Sequence, residues 1–200
     1  MKLYVTPTSP YARLAMIVRL EKGLDGIELV WTRTRNPDDP MLAFNPSGRI
    51  PWLGLDDGSG LEDTEAIVDY LDTLAPPCRF APPWGAAYWP YRRRLATARS
   101  MLDGVALWAR ELMRPEGERS PAIVEHERRR AARLADRFEA GIDAWEGPPD
   151  MPQLLLFCAL DVERRLAEFD WRAGRPGLVA WHARVAALPA VQGSLPPEGV

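Results

Sequence analysis

Cysteine and histidine are both scarce in this sequence, and their scarcity argues against several kinds of site. The 200 residues include two cysteines, Cys78 and Cys158, which lie far apart and form no CxxC pair. This spacing argues against a disulfide framework, a zinc site and a dithiol redox centre, and it fits a reducing compartment. The two histidines, His126 and His182, are isolated and lack metal-binding partners nearby in the sequence. We therefore expect no metal centre.

Long apolar runs and an excess of basic charge are also missing. The longest apolar run, residues 154–160, is far shorter than the roughly 20 residues that span a bilayer. The first ten residues, MKLYVTPTSP, lack the apolar core of a signal peptide. The net charge is −3, and the arginine clusters at residues 92–94 and 128–130 lack interleaved aromatics, which favours solvated helix faces over a nucleic-acid surface. We expect a soluble, cytoplasmic protein with no membrane or nucleic-acid partner.

The pattern of the chain changes at a proline-rich segment. Residues 1–75 alternate between short β-rich runs and amphipathic helical runs, which predicts a small mixed α/β sheet domain. Four prolines stand within residues 75–83 and exclude the interior of a helix or strand there. Beyond them the periodicity is helical throughout. We predict an α/β domain at 1–75, a linker at 76–84 and an all-helical domain at 85–200.

The stretch at residues 45–53, NPSGRIPWL, predicts a turn that runs straight into a strand. Asn45, Pro46, Ser47 and Gly48 are all turn formers. Pro51 cannot donate a hydrogen bond to a sheet, so it belongs at the start of the strand or at an edge. Only about 5–6% of X–Pro bonds are cis, and this stretch alone therefore favours a trans bond.

Four motifs in order give the chain a family resemblance. They are TPTSPYAR near the start, NPSGRIPWL, LEDTEAIVDYLD, and the closing FDWRAGRPGLVAWHARVAALPAVQGSLP. The proline linker lies between the third and the fourth motif. In this order the motifs resemble the glutathione S-transferases, in particular bacterial members with a serine in the first helical turn. The resemblance implies a thioredoxin-like N-terminal domain, an all-α C-terminal domain, a homodimer and a cis peptide bond before Pro51. It also implies glutathione as a co-substrate and no tightly bound cofactor.

The resemblance also implies how glutathione, an anionic tripeptide, is held. Asp63 and Thr64 open a helix whose free N–H groups suit a carboxylate, and Asp63 would take the γ-glutamyl ammonium. Family members mostly carry Glu or Asp followed by Ser at these positions, so Asp-Thr is a mild departure. Ile50, before Pro51, would pair its backbone with the cysteinyl residue. Arg49 would reach the glycyl carboxylate. The equally weighted alternative is that Arg49 is a surface arginine that contacts only solvent.

The thiol of glutathione needs a group that favours its thiolate, and by resemblance Ser9 is the first choice. A hydroxyl at the N-terminus of the first helix can donate to sulfur, although a plain helix cap explains the same residue. Tyr4, at the end of the first strand, is the alternative hydroxyl. Residues 1–77 contain no cysteine, which argues against the branches of the family that form mixed disulfides.

The co-substrate pocket is the least defined part of this prediction. Four aromatic residues are candidates to line it, although aromatics at helical spacing are more often core residues: Tyr11, Tyr88, Trp89 and Trp108. The predicted function is a transferase that activates glutathione for attack on a small hydrophobic electrophile in detoxification. Two alternatives stay open: a non-catalytic glutathione- or partner-binding protein of the same fold, and a glutathione-dependent reductase, isomerase or peroxidase.

Overall fold

The computed structural model describes residues 1–33 and 36–196 and divides the chain into two compact units. The sheet unit comprises Met1–Ala81 together with the chain from Leu188 onward, and the helical unit comprises Pro82–Ala187. The four strands are β1 (Lys2–Val5), β2 (Glu28–Trp31), β3 (Trp52–Gly54) and β4 (Gly60–Glu62). The seven α-helices of the described residues are α1 (Pro10–Glu21), α2 (Thr64–Leu74), α3 (Tyr88–Leu112), α4 (Pro121–Glu139), α5 (Met151–Leu160), α6 (Pro176–Ala186) and α7 (Pro189–Gly193).

The sheet has the strand order β2-β1-β3-β4. Strands β1 and β2 are parallel and joined through α1, whereas β3 is antiparallel to both β1 and β4. Helices α1 and α2 pack against each other, and their apolar faces are buried together with Leu3 and Val5 of the central strand. This arrangement confirms the predicted thioredoxin-like fold of the N-terminal region.

A short helix near the end of the chain belongs to the sheet unit. Helix α7 packs against α1, and the side chain of Arg13 donates a hydrogen bond of 3.1 Å to the hydroxyl of Ser194. Gly193 of α7 lies close to Leu20 of α1, since a Cβ added to Gly193 would stand 3.3 Å from Cδ1 of Leu20. The sequence predicts a last helix over residues 175–188 and a tail over residues 194–200, and it does not predict helix α7 between them.

A buried carboxylate on α2 anchors the chain that leaves the sheet unit. Asp72 is completely buried, and its Oδ2 accepts hydrogen bonds from the backbone N–H groups of Arg79, Phe80 and Ala81 at 2.8, 2.7 and 3.0 Å. Its Oδ1 lies 2.8 Å from Nζ of Lys22, which also donates to the carbonyl of Pro77. Burial opposes ionisation of Asp72, but these hydrogen bonds outweigh it and lower the pKa of the carboxyl.

The helical unit is built around α5, all of whose residues are buried. Asp150 and Gln153 form a reciprocal capping box at its start, as their spacing predicts. The long helix α3 packs against both α4 and α5, and Arg94 of α3 pairs with Asp150 at 2.5 Å. None of the described helices combines the length and the apolar character that crossing a bilayer requires.

Candidate functional site

Three segments of the sheet unit leave the sheet at the same end. Tyr4 of β1 lies opposite Trp52 of β3, and Trp52 lies opposite Glu62 of β4. Because β3 is antiparallel to both β1 and β4, the residues after β1, before β3 and after β4 lie at the same end of the sheet. This end therefore gathers the start of α1, the Ile50-Pro51 segment and the start of α2.

Helix α1 begins at this end with a serine cap. The Oγ of Ser9 accepts a hydrogen bond of 3.1 Å from the N–H of Ala12, and Pro10 occupies the first helical position. In the part of the chain that the structure describes, no acceptor takes the Ser9 hydroxyl proton. The first turn carries no acidic residue. Ser9 is half-buried. Because it is the N-cap of α1, its hydroxyl lies at a helix N-terminus whose dipole favours an anion.

Helix α2 begins at the same end with a strained cap. Asp63 has φ of +73° and is the one non-glycine residue with a positive φ among those described. Its Oδ1 accepts a hydrogen bond of 2.8 Å from the N–H of Glu65, while the next residue, Thr64, is buried. Left-handed backbone costs energy in a residue with a Cβ, and such strain concentrates at ligand-binding positions. The strain thus points to a role for Asp63 beyond capping.

The Ile50–Pro51 peptide bond between these two helix starts is cis. This confirms the geometry that the family resemblance implies and corrects the trans bond that residues 45–53 favour by themselves. A second cis bond, Pro76–Pro77, was not predicted. Pro51 is buried, whereas Ile50 is half-buried.

A network of side chains holds the turn that precedes Ile50. The buried amide of Asn45 donates a hydrogen bond of 2.9 Å to the carbonyl of Arg49. The hydroxyl of Ser47 lies 2.8 Å from Asn45 Oδ1 and 2.5 Å from Glu62 Oε2, and it accepts from the N–H of Arg49 at 3.2 Å. Gly48 adopts φ of +61°, which glycine tolerates without strain. This network ties the turn to β4, immediately before Asp63.

The Arg49 side chain is exposed at the end of this turn. Among the described residues no carboxylate lies within ion-pair distance of its guanidinium. A guanidinium without an ionic partner among the described residues, at the same end of the sheet as two helix N-termini, makes this end favourable for a ligand that carries carboxylates.

Comparison with known proteins agrees with this arrangement. Residues 3–82 match the family model described as glutathione S-transferase, N-terminal domain. A crystal structure of a glutathione transferase family member from Pseudomonas fluorescens Pf-5, with bound glutathione, is 29% identical and superposes with a TM-score of 0.89 over 98% of each chain. Residues 3–82 form a glutathione S-transferase N-terminal domain.

Two further relatives describe the breadth of this family around the chain. The uncharacterised GST-like protein YibF of Escherichia coli K12 is 28% identical over 184 residues, which are 90% of each chain. The maleylacetoacetate isomerase of Pseudomonas aeruginosa is 34% identical over 80 residues, or 38% of each chain. Similarity to the glutathione S-transferases is therefore compatible with more than one reaction.

Tyr4, the alternative hydroxyl in this glutathione S-transferase fold, sits in an aromatic cluster. Its ring makes edge-to-face contacts with Phe44 at 5.3 Å and with Trp52 at 5.2 Å between centroids. The cluster fixes the Tyr4 ring against β3. Tyr4 is half-buried in a strand, whereas Ser9 occupies a helix N-terminus.

The four aromatic candidates for the co-substrate pocket have different environments. Tyr11 is half-buried on α1 of the sheet unit, and the other three belong to α3 of the helical unit. Tyr88 contacts Trp89 edge to face at 5.1 Å, and Trp89 is 71% exposed. Trp108 is only 1% exposed and packs on Phe169. The assignment of all four residues to one pocket stays a prediction.

Sequence reasoning missed the residues that support the site. Asn45, Ser47 and Glu62 were not singled out, although the first two belong to a turn motif that was recognised. Their roles depend on a contact between the turn and β4, which lies 15 residues further along the chain. Within the described residues no group of three or more metal-binding side chains occurs.

Proposed function

We propose that this protein is a cytoplasmic glutathione transferase that activates the glutathione thiol for attack on a small hydrophobic electrophile. The observation that carries the proposal is the meeting of two helix N-termini, a cis-proline segment and an unpaired arginine at one end of the sheet. The glutathione bound in the Pseudomonas fluorescens relative supports glutathione as the ligand.

Each group at this end matches one part of the tripeptide. The N–H groups that open α2 and the Thr64 hydroxyl suit the γ-glutamyl carboxylate, and Asp63 suits the neighbouring ammonium. The backbone of Ile50, fixed by Pro51, is suited to pair with the cysteinyl residue. Arg49 suits the glycyl carboxylate. The ligand would thus be held by charge at both ends and by backbone in the middle.

The reaction itself needs thiolate rather than thiol. The Ser9 hydroxyl has a proton to donate and no acceptor among the described residues, so it can stabilise the sulfur anion while the thiol proton leaves to solvent. Sulfur then donates its electron pair to the electrophilic carbon, and the leaving group departs with the electrons of the bond that breaks. Tyr11, Tyr88 and Trp89 are the proposed aromatic surroundings of the electrophile, and a homodimer is the proposed assembly. Trp108, the fourth predicted residue, is 1% exposed and is a core residue that packs on Phe169.

A matched pair of cap variants tests the role of Ser9. Ser9 and Ser120 both cap a helix that begins with proline, and Ser120 accepts from the N–H of Ile123 at 3.3 Å. Either serine-to-alanine change should cost about 0.5–2 kcal/mol of stability through the lost cap. Only Ser9→Ala should also lower conjugation of glutathione to 1-chloro-2,4-dinitrobenzene, by roughly 10- to 100-fold, since a hydrogen bond to a charged group contributes about 1.5–3 kcal/mol. Equal activities of the two variants would refute the assignment.

The similarity to the isomerase of Pseudomonas aeruginosa favours one second candidate, a glutathione-dependent isomerase. Such an enzyme would use the same thiolate and return glutathione unchanged. Assaying maleylacetoacetate beside 1-chloro-2,4-dinitrobenzene separates the two, because an isomerase turns over the first and leaves the free thiol concentration constant. A protein that binds immobilised glutathione and acts on neither substrate would be the non-catalytic binder.

A further inference from the structure

The helical unit contains a cavity of about 270 Å³ between the beginning of α3 and the end of α4. Three arginines line it, Arg93 and Arg94 from α3 and Arg137 from α4, and no acidic residue does. Its remaining walls include Phe138 and Trp145. None of the residues that line the cavity belongs to the glutathione site or to the aromatic surroundings of the electrophile proposed above.

Two of the three guanidinium groups have no ionic partner among the described residues. Arg93 and Arg137 are exposed, and in the described part of the chain neither lies within ion-pair distance of a carboxylate. Arg94 is held in place by Asp150 at 2.5 Å, and its guanidinium stands 5.5 Å from the centroid of the Trp145 ring. The cavity therefore combines one fixed arginine with two whose charges are uncompensated.

The acidic residues nearest Arg137 along α4 are already engaged. Asp136 pairs with Arg175 at 2.7 Å. Glu139 accepts hydrogen bonds from the N–H groups of Gly177 and Leu178 at 3.0 and 2.6 Å. Neither carboxylate lines the cavity, so the positive charge that faces it is not neutralised from the same helix.

The carbonyl groups at the end of α4 weaken this positive field, but they are partly capped. The N–H of Ala140 donates to the carbonyl of Asp136 at 3.1 Å, and the N–H of Gly141 donates to that of Phe138 at 3.1 Å. A helix C-terminus carries about half a negative charge. The three guanidinium groups, each fully charged, outweigh it.

Two aromatic rings give the cavity a rigid apolar wall. Phe138 is 5% exposed and Trp145 is 8% exposed, and their rings meet edge to face at 5.5 Å. Trp145 is fixed further by an edge-to-face contact with Trp181 at 5.8 Å. Pockets for drug-sized ligands span roughly 300–1,000 Å³, and a cavity just below that range suits a molecule of one or two rings.

We propose that this cavity binds a small aromatic phosphate, with the phosphate on Arg93 and Arg137 and the ring against Phe138 and Trp145. A phosphate monoester carries a charge of about −1.5 to −2 and three acceptor oxygens. Two unpaired guanidinium groups can each bind two oxygens in parallel, so a phosphate uses both, whereas a carboxylate has two oxygens and one charge.

Isothermal titration of the full chain with 1-naphthyl phosphate tests the proposal. We expect saturable binding with a 1:1 stoichiometry that weakens as salt rises from 50 to 300 mM, because exposed charges are screened. The neutral 1-naphthol should bind at least tenfold more weakly. Saturating glutathione should leave the affinity for the phosphate unchanged, so a failure here and a failure of the transferase proposal are distinguishable.

Arginine variants localise the binding. Arg93→Gln and Arg137→Gln together should weaken binding at least tenfold, and Arg93→Gln alone should weaken it about threefold. Arg110 supplies the matched control, since it is an exposed arginine of the same helix that lies 17 residues, or about 25 Å, from Arg93. Arg110→Gln should change the affinity by less than twofold. The proposal is overturned by no binding at 5 mM probe, by equal binding of 1-naphthol, or by equal effects of the Arg110 and Arg93 variants.

Discussion

Replacing Asp72 with asparagine tests the anchor between α2 and the segment that follows it. The buried carboxylate accepts four hydrogen bonds, three from the backbone of residues 79–81 and one from Lys22. Asparagine keeps the size of the side chain but replaces one carboxylate oxygen with an NH₂ group. This group donates hydrogen bonds and cannot accept them from the N–H donors that surround residue 72. The ammonium of Lys22, whose side chain is 6% exposed, would keep only the carbonyl of Pro77 as a partner.

The magnitude follows from that uncompensated charge. Breaking a buried ion pair by removing one partner costs about 3–5 kcal/mol. In a chain of this size, 1 kcal/mol shifts the melting temperature by about 2–4 °C. We therefore expect Asp72→Asn to lower the melting temperature by roughly 6–20 °C, measured by circular dichroism at neutral pH.

The pH dependence gives a second, independent readout. The hydrogen bonds from Lys22 and the backbone hold the pKa of Asp72 below its ordinary value despite burial, and that ordinary value is about 3.9. A carboxyl whose pKa is depressed by folding stabilises the protein above its unfolded pKa, and this contribution is lost as pH falls through the folded pKa. The difference in stability between the wild type and Asp72→Asn should therefore be full above about pH 4 and shrink below it.

An exposed aspartate of the same unit provides the control. Asp25 is 87% exposed and lies 4.0 Å from Arg19, so Asp25→Asn should change stability by no more than about 0.5 kcal/mol. If Asp72→Asn lowered the melting temperature no more than Asp25→Asn, or if its deficit stayed constant down to pH 2, the anchor would not stabilise the fold as argued.

The remaining predictions concern the sheet and its ligand-binding end. Gly60→Ala should destabilise the protein by about 1–3 kcal/mol in urea unfolding, because its Cβ would stand 2.0 Å from the ring of Trp52. Gly26→Ala meets no atom within 4 Å and should cost less than 0.5 kcal/mol; equal costs would contradict the packing argument. Asp63→Gly should hold or raise the melting temperature by relieving strain, while glutathione affinity in calorimetry falls at least about tenfold; unchanged affinity would remove Asp63 from the site. Arg49→Gln should weaken glutathione binding about tenfold without altering the melting temperature, and an unchanged Kd would leave Arg49 a solvated surface residue.

Helix starts were predictable from sequence because their signals are local. Ser9-Pro10 and Ser120-Pro121 mark the first residues of α1 and α4, and the capping box marks α5. Helix ends were less predictable. The periodicity of α4 continues to Trp145, but the helix ends at Glu139 and the chain turns so that Trp145 packs on Trp181. The contact of Trp145 with Trp181 joins residues 36 positions apart, and no local pattern contains it.

The candidate site also combines features that local sequence predicts with features that it does not. The caps Ser9 and Asp63 and the turn at residues 45–48 were visible in the sequence, because each is a local signal. The cis bond before Pro51 came from family resemblance alone, since the local prior favours trans. The positive φ of Asp63 was not foreseen, because aspartate ordinarily caps a helix with extended backbone. The bond between Lys22 and Asp72, 50 residues apart, had no sequence signal.

The packing of α7 against α1 affects the order in which the protein is completed in the cell. The sheet unit is discontinuous, since its last piece, from Leu188 onward, follows the whole helical unit. A ribosome adds about 5–20 residues per second, so the nascent α1 stays without its C-terminal partner helix for roughly 8–33 s while the residues between Glu21 and Pro189 are made. During that interval the α1 surface around Leu20, which α7 later contacts, is open to chaperones, and a message truncated before Leu188 would yield a product in which this surface is never covered.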